Sequence, residues 1–485
     1  MRGGSMREKE AYLVIDSSSH SIRAYAATPK GALLSQSCRE IRNIRDPLYP
    51  DALSFDPEAL RRDLFAVCAE AVAGAPDHRI AAVSAASQRE GVVLLGEGDT
   101  PLAGYPNIDN RGQAWEDTVP ERHRVYSIGG RWVSTLFPAV KFLGLRALRP
   151  ELWERVRRFT SISDWIGFLF TGRLGYEFSQ ADESLLFDVE KGRWSEELCR
   201  RFQIPAGMLP PLLRSGEFLG PVLRDVGRAL GLPEGTPFLV GGADTQLAVE
   251  SCRPSAGDIV IVAGTTTPIV HLSDRYLVDK QERCWVSRHV VPGLFTVETN
   301  VGVSGMNYQR ALEAFYPGSS YAEVEAELAG CVPGRCIASV GSMIFHKAQV
   351  TPRGGFFVGA PLDGELTRAD FVLAVLLDYA FSFKTNFEQL LDIAQSRGGR
   401  LFGCGGGFLG RLLPQMLADL SQREIQVPEG FQYASCMGLV GQINRYFGYE
   451  ALSAGSGRII RPGGTPDWLE QYGDWAEKRA LLNRL

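Results

Sequence analysis

Near the N-terminus, apolar residues fall into two short runs that flank a polar turn. Residues 12–15 predict a buried strand, and residues 22–26 predict a second one. Between them stands the sequence Asp-Ser-Ser-Ser-His-Ser at positions 16–21, which is typical of a tight turn. A further turn at residues 28–31 leads into another apolar run. The pattern predicts an antiparallel meander with a hydroxyl-rich tip.

A similar hairpin pattern occurs in the second half of the chain. Residues 258–262 predict a strand, a small turn contains Gly264, Thr265 and Thr266, and an extended pattern resumes at residues 268–270. Two such hairpins, far apart in the sequence, predict a duplicated fold with an internal repeat on the scale of a domain.

Helical and extended patterns alternate through the rest of the chain, which predicts an α/β protein. A third glycine turn lies between a strand that ends at residues 401–402 and a helix whose apolar residues recur on one face over residues 408–420. A later helix is predicted at residues 434–446. The other predicted helices span residues 57–73, 152–159, 162–170 and 245–250, and the other predicted strands span residues 80–85, 92–95 and 239–242.

Composition argues against several classes of protein. Hydrophobic residues make up 45% of the 485 residues and charged residues 22%, which rules out disorder for the bulk of the chain. The net charge of -5 lacks the basic excess of a nucleic-acid binder. The most apolar stretch, residues 371–383, falls short of the roughly 20 residues that span a membrane. Nine scattered cysteines are typical of reduced thiols in a cytoplasmic protein.

A carboxylate and several hydroxyl groups meet in the first turn. Backbone N–H groups and serine hydroxyls suit phosphate oxygens, and Asp16 suits a hydrated Mg²⁺. The alternative is an Asx-type turn that Asp16 itself closes. The turn at Gly264 has the same chemistry without the carboxylate, and alone it is better explained as a plain hairpin. Together, two phosphate-binding hairpins that face each other predict an ATP clamp.

The glycine turn of residues 405–407 predicts a place where a flat ligand can approach the backbone. Without side chains it leaves room for an adenine or ribose, and the helix that follows favours polar or anionic groups at its N-terminus. The alternative is close packing of the helix against the strand. The chain has no G-x-x-x-x-G-K-[ST] run, which excludes a P-loop kinase.

Two further polar groups follow predicted strands. Asp244 stands after a buried strand and two glycines, where α/β enzymes place catalytic groups, although a helix N-cap is the alternative. Arg89 and Glu90 offer a donor fork and an acceptor to a polyhydroxylated ligand, and a surface ion pair is the alternative. Asn107 and Asp109 belong to a second polar cluster that is predicted to line the same pocket.

Taken in this order, these segments resemble the FGGY carbohydrate kinases over nearly the whole chain. The resemblance implies a two-lobed actin/hexokinase-like α/β fold, of the duplicated ribonuclease H-like type, with the active site in the interdomain cleft. It implies an N-terminal domain at residues 6–252 and a C-terminal domain at residues 253–485. The similar segments are residues 16–23 and 264–266 for the two phosphate motifs, 87–91 for the sugar-binding loop, 241–244 for the catalytic aspartate and 405–419 for the adenosine motif.

The resemblance also implies roles for single residues. Asp244 would be the general base and Asp16 would bind Mg²⁺ through water. The residues implied to bind the substrate are Gln88, Arg89, Glu90, Asn107, Asp109 and Asp244, and those implied to bind ATP are Ser18, Ser19, His20, Arg23, Gly264, Thr265, Thr266, Gly405, Gly406 and Gly407.

Within the family, residues 82–94 and 107–111 look most like autoinducer-2 kinases, which phosphorylate a signal derived from dihydroxypentanedione. The chain departs from the family pattern at Ser18, His20 and Tyr433, which bears on the tightness of ATP binding. The alternatives are a pentulose or polyol kinase and a non-catalytic sugar or nucleotide sensor on the same fold. No nucleic acid or membrane partner is expected, and a homodimer is possible.

Overall fold

The computed structural model describes residues 9–341, 343–345, 354–396, 399–450, 452, 457–463 and 468–482. The chain divides into two compact units. The first comprises Met1–Ser251, Val286–Phe295 and Tyr433–Ser453, and the second comprises Cys252–Trp285, Thr296–Gln432 and Ala454–Leu485. The start of the predicted first domain, residues 6–8, lies outside the described residues. The assignment of domains to residues 6–252 and 253–485 stays a prediction.

A six-stranded sheet forms the centre of the first unit. Glu10–Ser17 runs antiparallel to Ser21–Ala27, which confirms the predicted hairpin, and Ser21–Ala27 pairs in turn with Leu33–Glu40. Glu10–Ser17 is parallel to Arg79–Ser87, which is itself parallel to Pro237–Ala243. Because the carboxyl ends of parallel strands meet at the same edge of a sheet, the residues that follow these three strands are brought together.

Burial on both faces explains why residues 11–15 of the first strand are continuously apolar. One face of the sheet packs against the helix Pro57–Ala73, which begins as the sequence predicts: Pro57 occupies the first turn, and Asp56 caps it by accepting a hydrogen bond from the amide of Glu58. The other face contacts the helix Ala434–Phe447. A strand that is covered on both sides has no solvent-facing positions to alternate with apolar ones.

One predicted helix is wrong. The expected helix at residues 152–159 is instead a short helix, Pro150–Trp153, followed by the strand Arg158–Ser161. That strand pairs antiparallel with Val92–Leu95, so that Phe159 lies opposite Leu94. The apolar residues have helical spacing by coincidence, and pairing with a strand distant in the sequence outweighs the local pattern.

The second unit repeats the arrangement of the first sheet. Ile259–Val262 is antiparallel to Pro268–Ser273 and parallel to Leu401–Cys404, with Val262 opposite Cys404. The turn that follows Val262 and the turn that follows Cys404 therefore lie at the same edge of the sheet. The longest helix, Arg368–Ala394, carries buried polar residues such as Asp378 and Asn386. In the described part of the chain, no helix is both long and apolar enough to cross a bilayer.

The remaining elements complete the two units. The other helices are Arg122–Gly129, Pro138–Leu148, Ile162–Thr171, Phe178–Asp182, Glu196–Arg201, Arg224–Leu230, Asp244–Ser251, Ser304–Phe315, Tyr321–Leu328, Leu412–Ser421 and Trp468–Leu482. The other strands are Ile44–Arg45, Leu53–Ser54, Pro101–Tyr105, Tyr176–Glu177, Phe187–Asp188, Arg193–Trp194, Leu212–Leu213, Phe218–Pro221, Trp285–Arg288, Phe295–Asn300, Cys336–Ser339, Gly355–Val358, Ile425–Val427 and Arg458–Ile460.

Candidate active site

Asp16 lies near the carboxyl end of the first strand, and one of its two carboxylate oxygens accepts a hydrogen bond from a described residue. Its Oδ2 accepts a hydrogen bond of 2.9 Å from the hydroxyl of Ser435. Its Oδ1 is buried and accepts no hydrogen bond from the part of the chain that the structure describes. Burial raises the pKa of Asp16, and the Ser435 hydrogen bond and the charge of Arg23, directly opposite in the hairpin, lower it. A buried carboxylate oxygen that lacks a donor fits a cation or a water bound to one.

No cluster of three or more His, Cys, Asp or Glu side chains that could hold a metal occurs among the described residues. A cation at Asp16 would therefore take its other ligands from water or from a bound phosphate. That donor set suits Mg²⁺, which keeps several waters and is usually held by one or two carboxylates together with substrate phosphates.

Ser18, not Asp16, closes the first turn. Its hydroxyl accepts hydrogen bonds from the amides of Ser21 at 3.1 Å and His20 at 3.4 Å, and its own amide donates to Ser21 O at 2.9 Å. The Asx-type alternative is therefore wrong. The backbone at Ser18 does not adopt a positive φ, so serine takes the usual glycine position without strain. The side chain of His20 is exposed.

Gln88 ties the first turn to the loop that carries Asn107. Its Nε2 donates to Ser18 O at 3.1 Å, and its Oε1 accepts from the amide of Asn107 at 3.0 Å. The ring closes through Ser19, whose hydroxyl donates to Oδ1 of Asn107 at 2.8 Å. Two segments that lie far apart in the sequence are thus held as one unit.

Arg89 and Glu90 are both buried, so the alternative of a surface ion pair is wrong. Arg89 lies 3.9 Å from the carboxylate of Glu90 and 3.8 Å from that of Glu183. Burial, followed by the neighbouring charge of Glu183, raises the pKa of Glu90. Glu90 also adopts a positive φ of 59°. Non-glycine residues held in that region are often found at ligand sites.

Asp109 has both of its oxygens engaged inside the protein. Its Oδ2 accepts from Nε of Arg111 at 2.6 Å, and its Oδ1 accepts from the amide of Leu53 at 2.8 Å. These bonds fix the loop that carries Asn107. A direct contact of Asp109 with substrate stays a prediction.

Asp244 begins the helix Asp244–Ser251, directly after the third parallel strand. Its Oδ1 accepts hydrogen bonds from the amide of Thr245 at 2.5 Å and from the Thr245 hydroxyl at 3.1 Å. Burial, and next the charge of Asp16, raise the pKa of Asp244 to about 7, against a lowering effect of Arg89. A carboxyl group that titrates near neutrality is well matched to accept a proton at physiological pH.

In the second unit, the two predicted turns meet at one sheet edge. The amide of Gly407 donates to Ala263 O at 2.9 Å, and a Cβ at Gly405 would lie 2.5 Å from the same oxygen. Gly405 has a φ of +90° as well, so close packing explains Gly405 and Gly407. Gly406 differs, because a Cβ there would meet no atom within 4 Å. Gly264 and Thr265 are exposed.

The sequence of residues 11–250 matches the model of the FGGY family of carbohydrate kinases, N-terminal domain. A protein of Bacillus subtilis (strain 168) named "Putative sugar kinase YoaC" is 37% identical over 480 residues, which cover 99% of this chain and 98% of the relative. The chain belongs to the FGGY family of carbohydrate kinases. The predicted family and enzyme class are thereby confirmed.

Two further kinases extend the comparison. The autoinducer-2 kinase of Yersinia pseudotuberculosis serotype O:3 (strain YPIII) is 25% identical over 493 residues, which cover 97% of this chain and 91% of the relative. The ligand-bound xylulose kinase from Lactobacillus acidophilus, at 17% identity, matches the structure with a TM-score of 0.85 over 98% of each chain. The predicted α/β fold is confirmed by that likeness.

The structure of this FGGY kinase adds residues that the sequence patterns did not reveal. Lys141 is fully buried and donates from Nζ to Asn107 O at 3.0 Å and to Leu136 O at 2.5 Å. Burial lowers the pKa of Lys141. A lysine inside the apolar run of residues 138–145 was the one signal in the sequence that could have identified it. Ser435, which contacts Asp16, offered no such signal.

Proposed function

We propose that this kinase transfers the terminal phosphoryl group of ATP to a hydroxyl of a small sugar-like compound, with dihydroxypentanedione, the autoinducer-2 precursor, as the favoured substrate. The observation that carries the proposal is the edge of the first sheet. Asp16, the pair Arg89 and Glu90, and Asp244 follow or end three neighbouring parallel strands. A cation-binding carboxylate, a hydroxyl-binding pair and a basic carboxylate are the groups that phosphoryl transfer to an alcohol requires.

In this proposal Asp244 accepts the proton of the attacking hydroxyl. Its pKa of about 7 leaves a large share of the carboxyl groups ionised at neutral pH. Asp16 would hold Mg²⁺ through water, by the oxygen that no described residue engages. Mg²⁺, when bound, neutralises charge on the phosphates. Ser19 and Thr265 would position the β- and γ-phosphates. The glycine turn that contains Gly406 would leave room for the adenine or ribose.

The substrate class follows from the polar groups beside Asp244. Arg89 supplies a donor fork and Glu90 an acceptor for adjacent hydroxyls, and Asn107 adds an amide. Buried polar groups reject analogues that leave them without hydrogen-bond partners, which favours a polyhydroxylated ligand. The preference for dihydroxypentanedione rests on the autoinducer-2 kinase relative at 25% identity. A pentulose is the second candidate, because the fold is shared with a xylulose kinase.

We also propose that the enzyme works in the cytoplasm. Seven of the nine cysteines are buried, which fits reduced thiols in a reducing compartment. A non-catalytic sensor is less well supported, since a sensor does not need both Asp16 and Asp244. Homodimer formation stays a prediction.

The test is the rate of ADP release at fixed Mg-ATP with dihydroxypentanedione, D-xylulose, L-ribulose and glycerol, each compared by kcat/KM. We expect dihydroxypentanedione to be preferred. A tenfold or greater preference for another compound, about 1.4 kcal/mol of transition-state discrimination, would reject the autoinducer-2 assignment and leave the family assignment intact. Asp16→Asn is the control for Mg-dependent turnover, since it keeps the shape of the side chain and removes its charge.

A further inference from the structure

The backbone that leads into Asp244 is held by a side chain from another part of the first unit. The amide of Ala243 donates a hydrogen bond of 3.0 Å to the hydroxyl of Ser179. Ser179 belongs to the helix Phe178–Asp182 and is buried. The residue before the proposed general base is therefore fixed by a contact that spans 64 positions of sequence.

The hydroxyl of Ser179 is itself oriented by a buried carboxylate. It donates to Oε2 of Glu177 at 2.5 Å, and the same oxygen accepts from the amides of Ser179 at 2.8 Å and Gln180 at 3.2 Å. Because a serine hydroxyl has one hydrogen, its donation to Glu177 leaves its lone pairs for the Ala243 amide. Glu177 is thus the group that sets the direction of the Ser179 contact.

Close packing supports this arrangement on both sides. A Cβ at Gly242 would lie 3.0 Å from Ser179 Oγ and 3.1 Å from Glu177 Oε2, so a side chain at residue 242 would press on both oxygens. The backbone amide of Glu177 donates to Oδ2 of Asp164 at 2.9 Å, and that oxygen also accepts a hydrogen bond from the hydroxyl of Ser161. The chain of hydrogen bonds is anchored in the core of the unit.

We propose that Ser179, oriented by Glu177, is a positioning residue that holds the Ala243–Asp244 backbone so that the carboxylate of Asp244 meets the attacking hydroxyl. This inference rests on the proposed role of Asp244 as general base. A displacement of about 1 Å in a reacting group can cost on the order of 10²-fold in rate. Ser179 therefore acts through Asp244, without contact to substrate.

The kinetic test compares Ser179→Ala with Ser184→Ala. Ser184 is a matched control, because it is equally buried and its hydroxyl also donates once, to Ala181 O at 2.6 Å, and accepts once, from the amide of Leu186 at 3.0 Å. We expect Ser179→Ala to lower kcat at least tenfold with KM for Mg-ATP within twofold of wild type, and Ser184→Ala to leave kcat within twofold. Ser179→Thr, which keeps the hydroxyl, should restore most of the rate.

A double variant separates positioning from general loss of structure. If Ser179 acts through Asp244, adding Ser179→Ala to Asp244→Asn causes little further loss of kcat. Equal kcat values for Ser179→Ala and Ser184→Ala, or fully multiplicative effects in the double variant, would overturn the proposal.

Hydrogen exchange gives a readout that does not depend on the substrate. In the full-length protein, the peptide that contains Ala243 should exchange at least tenfold faster in Ser179→Ala than in wild type, while Ser184→Ala leaves that peptide unchanged. An unchanged exchange rate of this peptide in Ser179→Ala would show that Ser179 does not hold the backbone at Ala243. Absence of sugar phosphorylation by the wild-type enzyme would instead reject the proposed function, and exchange would still decide whether Ser179 holds the strand.

Discussion

The hydroxyl of Ser19 donates a hydrogen bond of 2.8 Å to Oδ1 of Asn107. Ser19 belongs to the turn proposed to bind phosphate, and Asn107 belongs to the loop proposed to bind substrate. Gln88 links the same two segments a second time, through Ser18 O and the amide of Asn107. A ligand that moves the phosphate-binding turn therefore also acts on the substrate-binding loop, and the reverse holds as well. Such a connection is the physical basis of coupling between two sites.

We expect Ser19→Ala to weaken the coupling between nucleotide and sugar binding. In the wild-type enzyme, a saturating non-hydrolysable ATP analogue should tighten binding of dihydroxypentanedione, and the variant should lose at least half of that effect in free energy. Calorimetric titration with and without the analogue measures the coupling. Ser54→Ala, which removes a long hydrogen bond of 3.5 Å to Ile44 O, is the control. If nucleotide and sugar binding stay fully coupled in Ser19→Ala, the hydrogen bond between Ser19 and Asn107 does not transmit the coupling.

Gly406→Val tests the nucleotide role of the glycine turn in the second unit. A side chain at Gly406 would meet no protein atom within 4 Å, so the fold should tolerate it, whereas a bound nucleotide would lose that space. We expect KM for Mg-ATP to rise about tenfold or more, roughly 1.4 kcal/mol, with thermal stability unchanged. Gly355→Val, at an equally open position in the same unit, should leave KM unchanged. An unchanged KM in Gly406→Val would remove this turn from the nucleotide site.

The candidate site residues at the strand ends were predictable because each of them lies beside a local apolar pattern. Asp16, Arg89 and Asp244 each follow or end an apolar run, and the parallel pairing of their three strands brings these positions to one edge of the sheet. The helical spacing of apolar residues gave a wrong prediction at residues 152–159. Phe159 instead lies in a strand, opposite Leu94 of a neighbouring strand. Its partner, Leu94, lies too far away in sequence for a local pattern to include it.

The residues that hold Asp16 and the backbone before Asp244 were not predictable, because their partners are also distant in the sequence. Ser435 reaches Asp16 across 419 positions, and Ser179 reaches Ala243 across 64. A serine in a helix has no local sequence pattern that distinguishes a hydroxyl with a distant partner from a hydroxyl at the surface. Lys141 differs, since a charge among apolar neighbours signals a buried partner, but the sequence does not say which one.

Buried carboxyl groups predict how stability depends on pH. Burial raises the pKa of Asp182 to about 8, and its Oδ1 accepts no hydrogen bond from any described residue. The folded protein therefore keeps a proton that the unfolded chain releases near pH 4. Since Asp182 binds its proton more tightly in the folded state, its contribution to the free energy of unfolding falls as pH rises from about 4 to about 8.

Asp182→Asn should remove this part of the pH dependence, because the amide resembles the protonated acid. Relative to wild type, the variant should gain stability between pH 5 and pH 8.5, as measured by urea unfolding at both values. Asp225→Asn, at a side chain that is 96% exposed, is the control. A variant whose stability difference from wild type is the same at both pH values would contradict the prediction.

The raised pKa of Asp244 predicts an acid limb in the rate profile. Below about pH 7 the carboxyl group is protonated and cannot accept the proton of a hydroxyl, so kcat/KM for the sugar should fall as pH decreases through about 7 and level off above it. The profile is measured from pH 5.5 to 9 at saturating Mg-ATP. The residual rate of Asp244→Asn, which has no such group, corrects for titration of the substrates. A wild-type profile that is flat down to pH 5.5 would be inconsistent with this pKa.

The most direct measurement is the turnover of Asp244→Asn with the preferred sugar, beside its affinity for Mg-ATP. Loss of a general base should lower kcat by about 10²–10⁴-fold, while the dissociation constant of Mg-ATP stays within about twofold of wild type. Asp225→Asn should retain full turnover. If Asp244→Asn instead turns over at a rate near that of wild type, Asp244 is not the base and the proposed mechanism is wrong.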